Sequence, residues 1–186
     1  LRARLANGTF QTCNVVGVDD ATLVGGPPEM LGGTVEDLRR ADGVIVDDVG
    51  ASGKLARPAP VDPVTGKPMG KPVPLKVGDY LELNDHRAVV VGICRVSRTF
   101  QSQPVVYTTY SRATTFAPRE RKLLSFVIAG VAPGADVEEV CREVRRATGL
   151  AAFTADQFKW KTVMYFIRYT GIPINFGITV VLGFIV

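Results

Sequence analysis

Gly50-Ala51-Ser52-Gly53-Lys54-Leu55 follows a strand-like run and ends in Gly-Lys, the order in which a phosphate-binding loop presents its backbone N–H groups and its lysine. That chemistry also needs a glycine where Asp48 stands, a hydroxyl residue where Leu55 stands, and a following helix where this chain has prolines. The segment therefore reads as a turn. His86, the single histidine, sits beside Asn84-Asp85 in an expected hairpin turn, with no GxSxG elbow in the chain to serve. It reads as a solvated turn residue, and a hydrolase using His86 ranks last. Asp19-Asp20, Asp47-Asp48 and Glu138-Glu139 pair carboxylates without calcium-loop spacing or the histidines of a transition-metal site. Solvated ends and helix caps account for them.

Cys13, Cys94 and Cys141 form no CxxC or Cys/His set, so no zinc site is indicated and at most one disulfide is possible. Cys94, inside an apolar run, and Cys141, on the apolar side of a helix, read as buried thiols acting as small hydrophobes. Arg119-Glu120-Arg121-Lys122 is the densest charge cluster and reads as a wet loop ahead of a strand in preference to an anionic-lipid patch. The expectation is a non-enzyme with no catalytic, cofactor-binding or metal-ligating residue.

With 46% apolar and 22% charged residues in 186, the chain is a packed globular one of about one domain, not disordered, collagenous or heptad-repeat. The net charge of +4 is scattered and forms no basic run, so nucleic acid is not expected as a partner.

The elements that would position these residues read as follows. Phe10 to Val18 is a strand ending at Asp19-Asp20, and the glycine and proline pairs between 25 and 33 break it. Thr34 and Asp37 cap a short helix with Leu38 and Ala41 facing inward. Val44-Ile45-Val46 is a strand. Six of the 12 prolines fall in residues 56–76, which exclude a helix and leave an extended loop or a loose edge hairpin. Leu81 and Leu83 alternate with polar residues, Asn84-Asp85 turns, and residues 88–94 return as a central strand apolar on both faces. Residues 104–108 and 123–130 are further strands. Asp136 with Glu139 starts a helix that Gly149 ends, Val137, Val140, Cys141 and Val144 forming its inner stripe, before a strand from Leu150 to Phe153. The strand–helix–strand unit gives a right-handed crossover, and the class expected is α+β with a mixed sheet and few helices.

Arg168 is the last charge, and the 18 residues from Tyr169 to Val186 would rise about 27 Å as a helix against about 30 Å of bilayer hydrocarbon. Two readings stand: the start of a transmembrane helix in a longer chain, or a buried C-terminal element. Gly171, Pro173, Gly177 and Gly183 would weaken a soluble helix and are at home in a membrane span, which favours the first. No signal peptide is visible at Leu1.

Gly43-Val44-Ile45-Val46-Asp47, then Val77-Gly78-Asp79-Tyr80-Leu81-Glu82-Leu83-Asn84, then Arg87-Ala88-Val89-Val90-Val91-Gly92-Ile93 resemble the MacB-type extracytoplasmic domain of FtsX-family ABC permeases. Phe158-Lys159-Trp160-Lys161-Thr162 and the residues from Tyr169 to Gly177 resemble the entry to the second transmembrane helix in the DevC-like branch of exporter permeases. The proline-rich stretch 56–76 departs from that pattern. The resemblance implies residues 1–158 outside the cytoplasm and 159–186 as junction and start of a span in the inner membrane. It implies a homodimeric permease in contact with membrane lipid. A cytoplasmic ATPase subunit and a periplasmic adaptor would be its partners, and a lipid-like or amphiphilic molecule its cargo. A lipoprotein-releasing or cell-division permease of the same superfamily is the near alternative; a soluble, non-enzymatic binding domain is the distant one. Lys159, Lys161 and Arg168, just before the apolar run, would by the positive-inside rule place the domain in the cytoplasm. That rule weighs little for long translocated domains, and the family pattern decides.

Overall fold

Short runs of β-branched residues between glycines and turn pairs fold the first two-thirds of the chain into strands. In the computed structural model, which describes residues 1–97, 102–118 and 124–185, these are β1 Arg2–Arg4, β2 Phe10–Thr12, β3 Asn14–Val18, β4 Glu29–Gly32, β5 Gly43–Asp47, β6 Tyr80–Leu83, β7 His86–Arg95 and β8 Val105–Thr109. The helices are α1 Asp48–Ser52, α2 Tyr110–Phe116, α3 Val137–Thr148, α4 Ala155–Tyr169 and α5 Ile172–Ile185, with a 3-10 helix over Val35–Arg39. The protein is α+β with a mixed sheet of eight strands. Two compact units divide it, Leu1–Ile128 and Ala129–Val186, and the whole sheet lies in the first.

The sheet runs β2-β1-β6-β7-β5-β8-β3, with β4 added to β7. β7 is parallel to β5, β3 is parallel to β8, and the other pairs are antiparallel. The ten-residue β7 has β5 on one side and β6 then β4 on the other, and its sequence is apolar on both faces because Ala88 and Val90 enter one buried cluster and Val91 and Cys94 another. Asn84 and Asp85, at φ 45° and 65°, join Leu83 to His86 in a two-residue turn whose left-handed residues match the strand twist.

Alternation along the central strands feeds two cores. Val44, Val46, Ala88, Val90 and Val106 join Leu55, Leu75, Leu83 and Phe116, while Ile45, Val91 and Cys94 join Val18 and Leu38. Thr34 and Asp37 pair at the start of the 3-10 helix as expected, the Asp37 carboxylate accepting from Thr34 N–H at 2.9 Å and from its hydroxyl at 3.1 Å; Leu38 is buried, but Ala41, expected to face inward, lies past the helix end and is exposed. Residues 56–76 form the loose hairpin alternative, with Arg57 and Val73 exchanging backbone hydrogen bonds of 2.8 Å and a second bridge between Val61 and Pro68.

Three expectations are corrected. The strand read from Phe10 to Val18 breaks at Cys13, and its parts serve different neighbours, β2 pairing β1 and β3 pairing β8. Residues 124–130 carry no strand, and Leu124, Val127 and Ile128 are 60–78% exposed; Leu123 lies outside the described residues, as does the cluster 119–122. An apolar run reports a wish for cover, and only a ladder partner makes it a strand. Residues 150–153 are irregular too, because Thr154 and Gln157 close a capping box that starts α4, Gln157 N–H donating to Thr154 Oγ1 at 3.2 Å and Thr154 N–H to Gln157 Oε1 at 3.3 Å. The strand–helix–strand crossover around α3 therefore does not form. β1 and β4 were not anticipated.

In the second unit, Asp136 Oδ1 caps α3 by accepting from Glu138 and Glu139 N–H, and Gly149 ends it in the left-handed region at φ 70°. Cys141 is buried, while Val137 and Val144 of the same stripe stay about 40% exposed. α4 runs unbroken through 158/159, where a domain junction was expected. Thr170-Gly171 separates α4 from α5, and the two helices are bent by 63°.

Candidate functional site

Among the described residues of the sheet unit, no buried side-chain polar atom lacks a hydrogen-bond partner. Asp47 is the clearest case: it is the helix cap that one of the two readings of the acidic pairs expects, and it is buried, only 5% exposed. Its Oδ2 accepts from Gly50 N–H at 2.9 Å, capping α1, and its Oδ1 accepts from Val105 N–H at 2.7 Å, at the start of β8. A carboxylate thus occupies the place where a phosphate loop would present open N–H groups. Lys54 donates to Ser102 C=O at 3.0 Å.

Arg112, not singled out in the sequence, extends from α2 and donates to Leu38, Gly43 and Arg40 carbonyls at 2.9–3.0 Å. It ties α2 to the chain between the 3-10 helix and β5; only the fold reveals such a role, because the acceptors are backbone groups. Asp20, at the end of β3, accepts from Ser111 N–H at 3.0 Å and Ser111 Oγ at 2.5 Å. Burial pushes the Asp20 carboxyl up, but these Ser111 bonds outweigh it and hold it below its ordinary range.

His86 opens β7, exposed, with its ring 5.9 Å from Phe116. The three cysteines are buried and unpaired with one another. Burial, with Asp47 and Asp48 adding to it, pushes the Cys94 thiol up to about 12. Such a thiol is neutral and unreactive at physiological pH. Among the described residues no three His, Cys, Asp or Glu side chains gather as a metal set.

A concavity of about 890 Å³ opens where β1 and β6 meet the base of the proline-rich hairpin, with Leu55, Leu75 and Leu81 among its lining residues. Its arginines already have partners: Arg4 lies 3.4 Å from Glu82, Arg57 lies 3.4 Å from Asp79, and the Arg87 guanidinium lies 4.5 Å from the Tyr80 ring centre. This is an apolar groove with a compensated rim, and it offers shape more than charge.

The second unit presents a different surface. In α4 no side chain is buried, and Trp160, Tyr165 and Tyr169 are 58–74% exposed. In α5, Ile174, Phe176, Val181, Leu182 and Phe184 are exposed, with no charged residue from Tyr169 onward. Among the described residues no single helix is long and apolar enough to cross a membrane; α4 and α5 meet the requirement only as a bent pair.

The fold and these surfaces define an α+β mixed-sheet domain followed in sequence by exposed apolar helices. No protein-family model and no curated protein matches the chain.

Proposed function

We propose that the chain is the extracytoplasmic domain of the membrane-spanning permease subunit of an ABC exporter, together with the start of its following transmembrane helix. In this reading a cytoplasmic ATPase partner supplies the energy. The sheet unit receives the resulting movement through the helices, engages a periplasmic adaptor, and assists export of a lipid-like or amphiphilic cargo as a homodimer. The observation that carries the reading is the pairing of a sheet unit in which, among the described residues, every buried side-chain polar atom has a hydrogen-bond partner with helices whose apolar side chains are exposed and bear no charge beyond Arg168. A coupling domain needs rigidity and a membrane connection rather than a catalytic set.

Topology tests it. Ser52 is exposed on α1, whereas the native thiols are buried, so a Ser52→Cys change in the full-length protein adds the one reactive thiol expected among these residues. Intact spheroplasts treated with a membrane-impermeant maleimide should label at this position before lysis, with the unsubstituted protein as baseline. Labelling only after lysis would put the domain in the cytoplasm and overturn the reading.

A further inference from the structure

We infer that α4 is an interfacial helix that lies along the membrane surface and binds anionic phospholipid headgroups. The inference rests on the permease reading only in taking α5 as membrane-embedded. Beyond Asp156, in the first turn of α4, the chain carries no acidic residue, so Lys159, Lys161 and Arg168 leave α4 with a net positive charge. None of the three pairs with a carboxylate among the described residues, although Lys161 Nζ rests 4.5 Å from the Phe153 ring centre. Gln157, Lys161 and Arg168, at i, i+4 and i+11, fall on one stripe of the helix, whereas Lys159, two residues from Gln157, lies on the opposite side.

The rest of α4 is what a headgroup boundary selects. Trp160, Tyr165 and Tyr169 place amphipathic rings on fifteen residues, and the Tyr165 and Tyr169 ring centres lie 5.3 Å apart with their planes tilted by 34°. Geometry agrees: with α5 along the bilayer normal, the 63° bend leaves the α4 axis roughly 27° from the membrane plane (90° less 63°). α5 alone, at 14 residues, spans about 21 Å, and α4 lies too oblique to complete the crossing in line. Headgroup binding also gives the basic residues a role that the positive-inside rule leaves unexplained for an outward-facing domain.

Trp160 is the only tryptophan, so it reports on α4 without labelling. The 186-residue chain is reconstituted into vesicles of phosphatidylcholine and phosphatidylglycerol, flotation measures binding, and spin-labelled lipids quench Trp160. Quenching should be stronger from labels near the headgroup than from labels at mid-chain. At equal mole fraction, labelled phosphatidylglycerol should quench more than labelled phosphatidylcholine, with a preference of up to about five-fold per basic residue. In Lys161→Gln/Arg168→Gln that preference should collapse while flotation persists. Strongest quenching from mid-chain labels would make α4 part of the span and overturn the inference, as would an unquenched Trp160 in a chain that floats. Equal quenching by the two lipids would overturn the anionic assignment. Failure to float would instead bring down the membrane reading beneath it.

Discussion

The two units place their apolar side chains in opposite ways. In Leu1–Ile128, Leu38, Ile45, Leu83 and Val90 are sealed on the two faces of the sheet, and among the described residues no buried side-chain polar atom lacks a partner. In α4 and α5, Trp160, Tyr169, Phe176 and Phe184 are 64–88% exposed. Both regions are rich in apolar residues, valine and leucine above all in the first and isoleucine, phenylalanine and valine in the helices, but only the first has ladder neighbours and cover on both faces. Composition alone therefore says that a segment seeks an apolar environment, and topology says whether the protein itself supplies it. Near the end of the first unit, Leu124, Val127 and Ile128 behave like the helices and unlike the sheet.

The sharpest way to break this contrast is to remove a buried link of the sheet unit. Asp47→Ala orphans the N–H groups of Gly50 and Val105 that the carboxylate holds at 2.9 and 2.7 Å. We expect a loss of about 3–5 kcal/mol in urea unfolding, the sum of two charged hydrogen bonds left without acceptors in a buried place. Gly33→Ala follows: at φ 73° an added Cβ would lie 2.3 Å from the Val91 carbonyl oxygen, so left-handed strain and overlap combine to at least about 2 kcal/mol. Gly183→Ala in α5 meets nothing within 4 Å and should shift the same unfolding curve by less than about 0.5 kcal/mol.

Much of this sheet was legible, and the parts that were not share a cause. β7 and the turn at Asn84-Asp85 announced themselves because local pattern and tertiary need coincide: a two-sided apolar strand is central, and a two-residue turn wants left-handed residues. The caps at Thr34 and Asp136 were equally local. β1 and β4 escaped because three- and four-residue segments such as Arg2-Ala3-Arg4 become strands only when β2, β6 or β7 offers them a ladder. Arg112 and the second bond of Asp47 escaped because their partners are main-chain groups tens of residues away. The strand expected at 150–153 failed on a signal that was present: Thr154 and Gln157 are a capping pair, and a cap ends whatever precedes it.

Alkaline pH tests the sealed core more gently. Cys94 has its folded value pushed up to about 12 by burial from an ordinary value near 9, so the folded state keeps the proton that the unfolded chain gives up. This contribution is fully present below pH 9 and is lost as pH rises from about 9 towards 12. Buried Cys13 has its thiol raised as well and loses stability in the same direction. Unfolding free energy measured across this window should fall, and Cys94→Ala should flatten the slope while lowering stability at neutral pH by about 1 kcal/mol. An unchanged slope in the variant would mean that water reaches this thiol in the folded state.

The smallest expected effect separates the two units most cleanly. A chain ending at Phe158 loses most of α4 and all of α5. If those helices draw their stability from lipid, the sheet unit keeps its own cores and its melting temperature should move by no more than about 2 °C. If the apolar tail instead packed as a core element of a soluble domain, its removal would uncover several large side chains. Each is worth about 1.5–3 kcal/mol, and each kilocalorie shifts the midpoint of a domain of this size by roughly 2–4 °C. The alternatives differ by ten degrees or more, well outside the error of a thermal scan. A large drop would move the exposed faces of α4 and α5 from the membrane column to the core column and remove the contrast between the units. An unchanged curve, with the shortened chain no longer floating with vesicles, would assign membrane attachment to the helices and folding to the sheet.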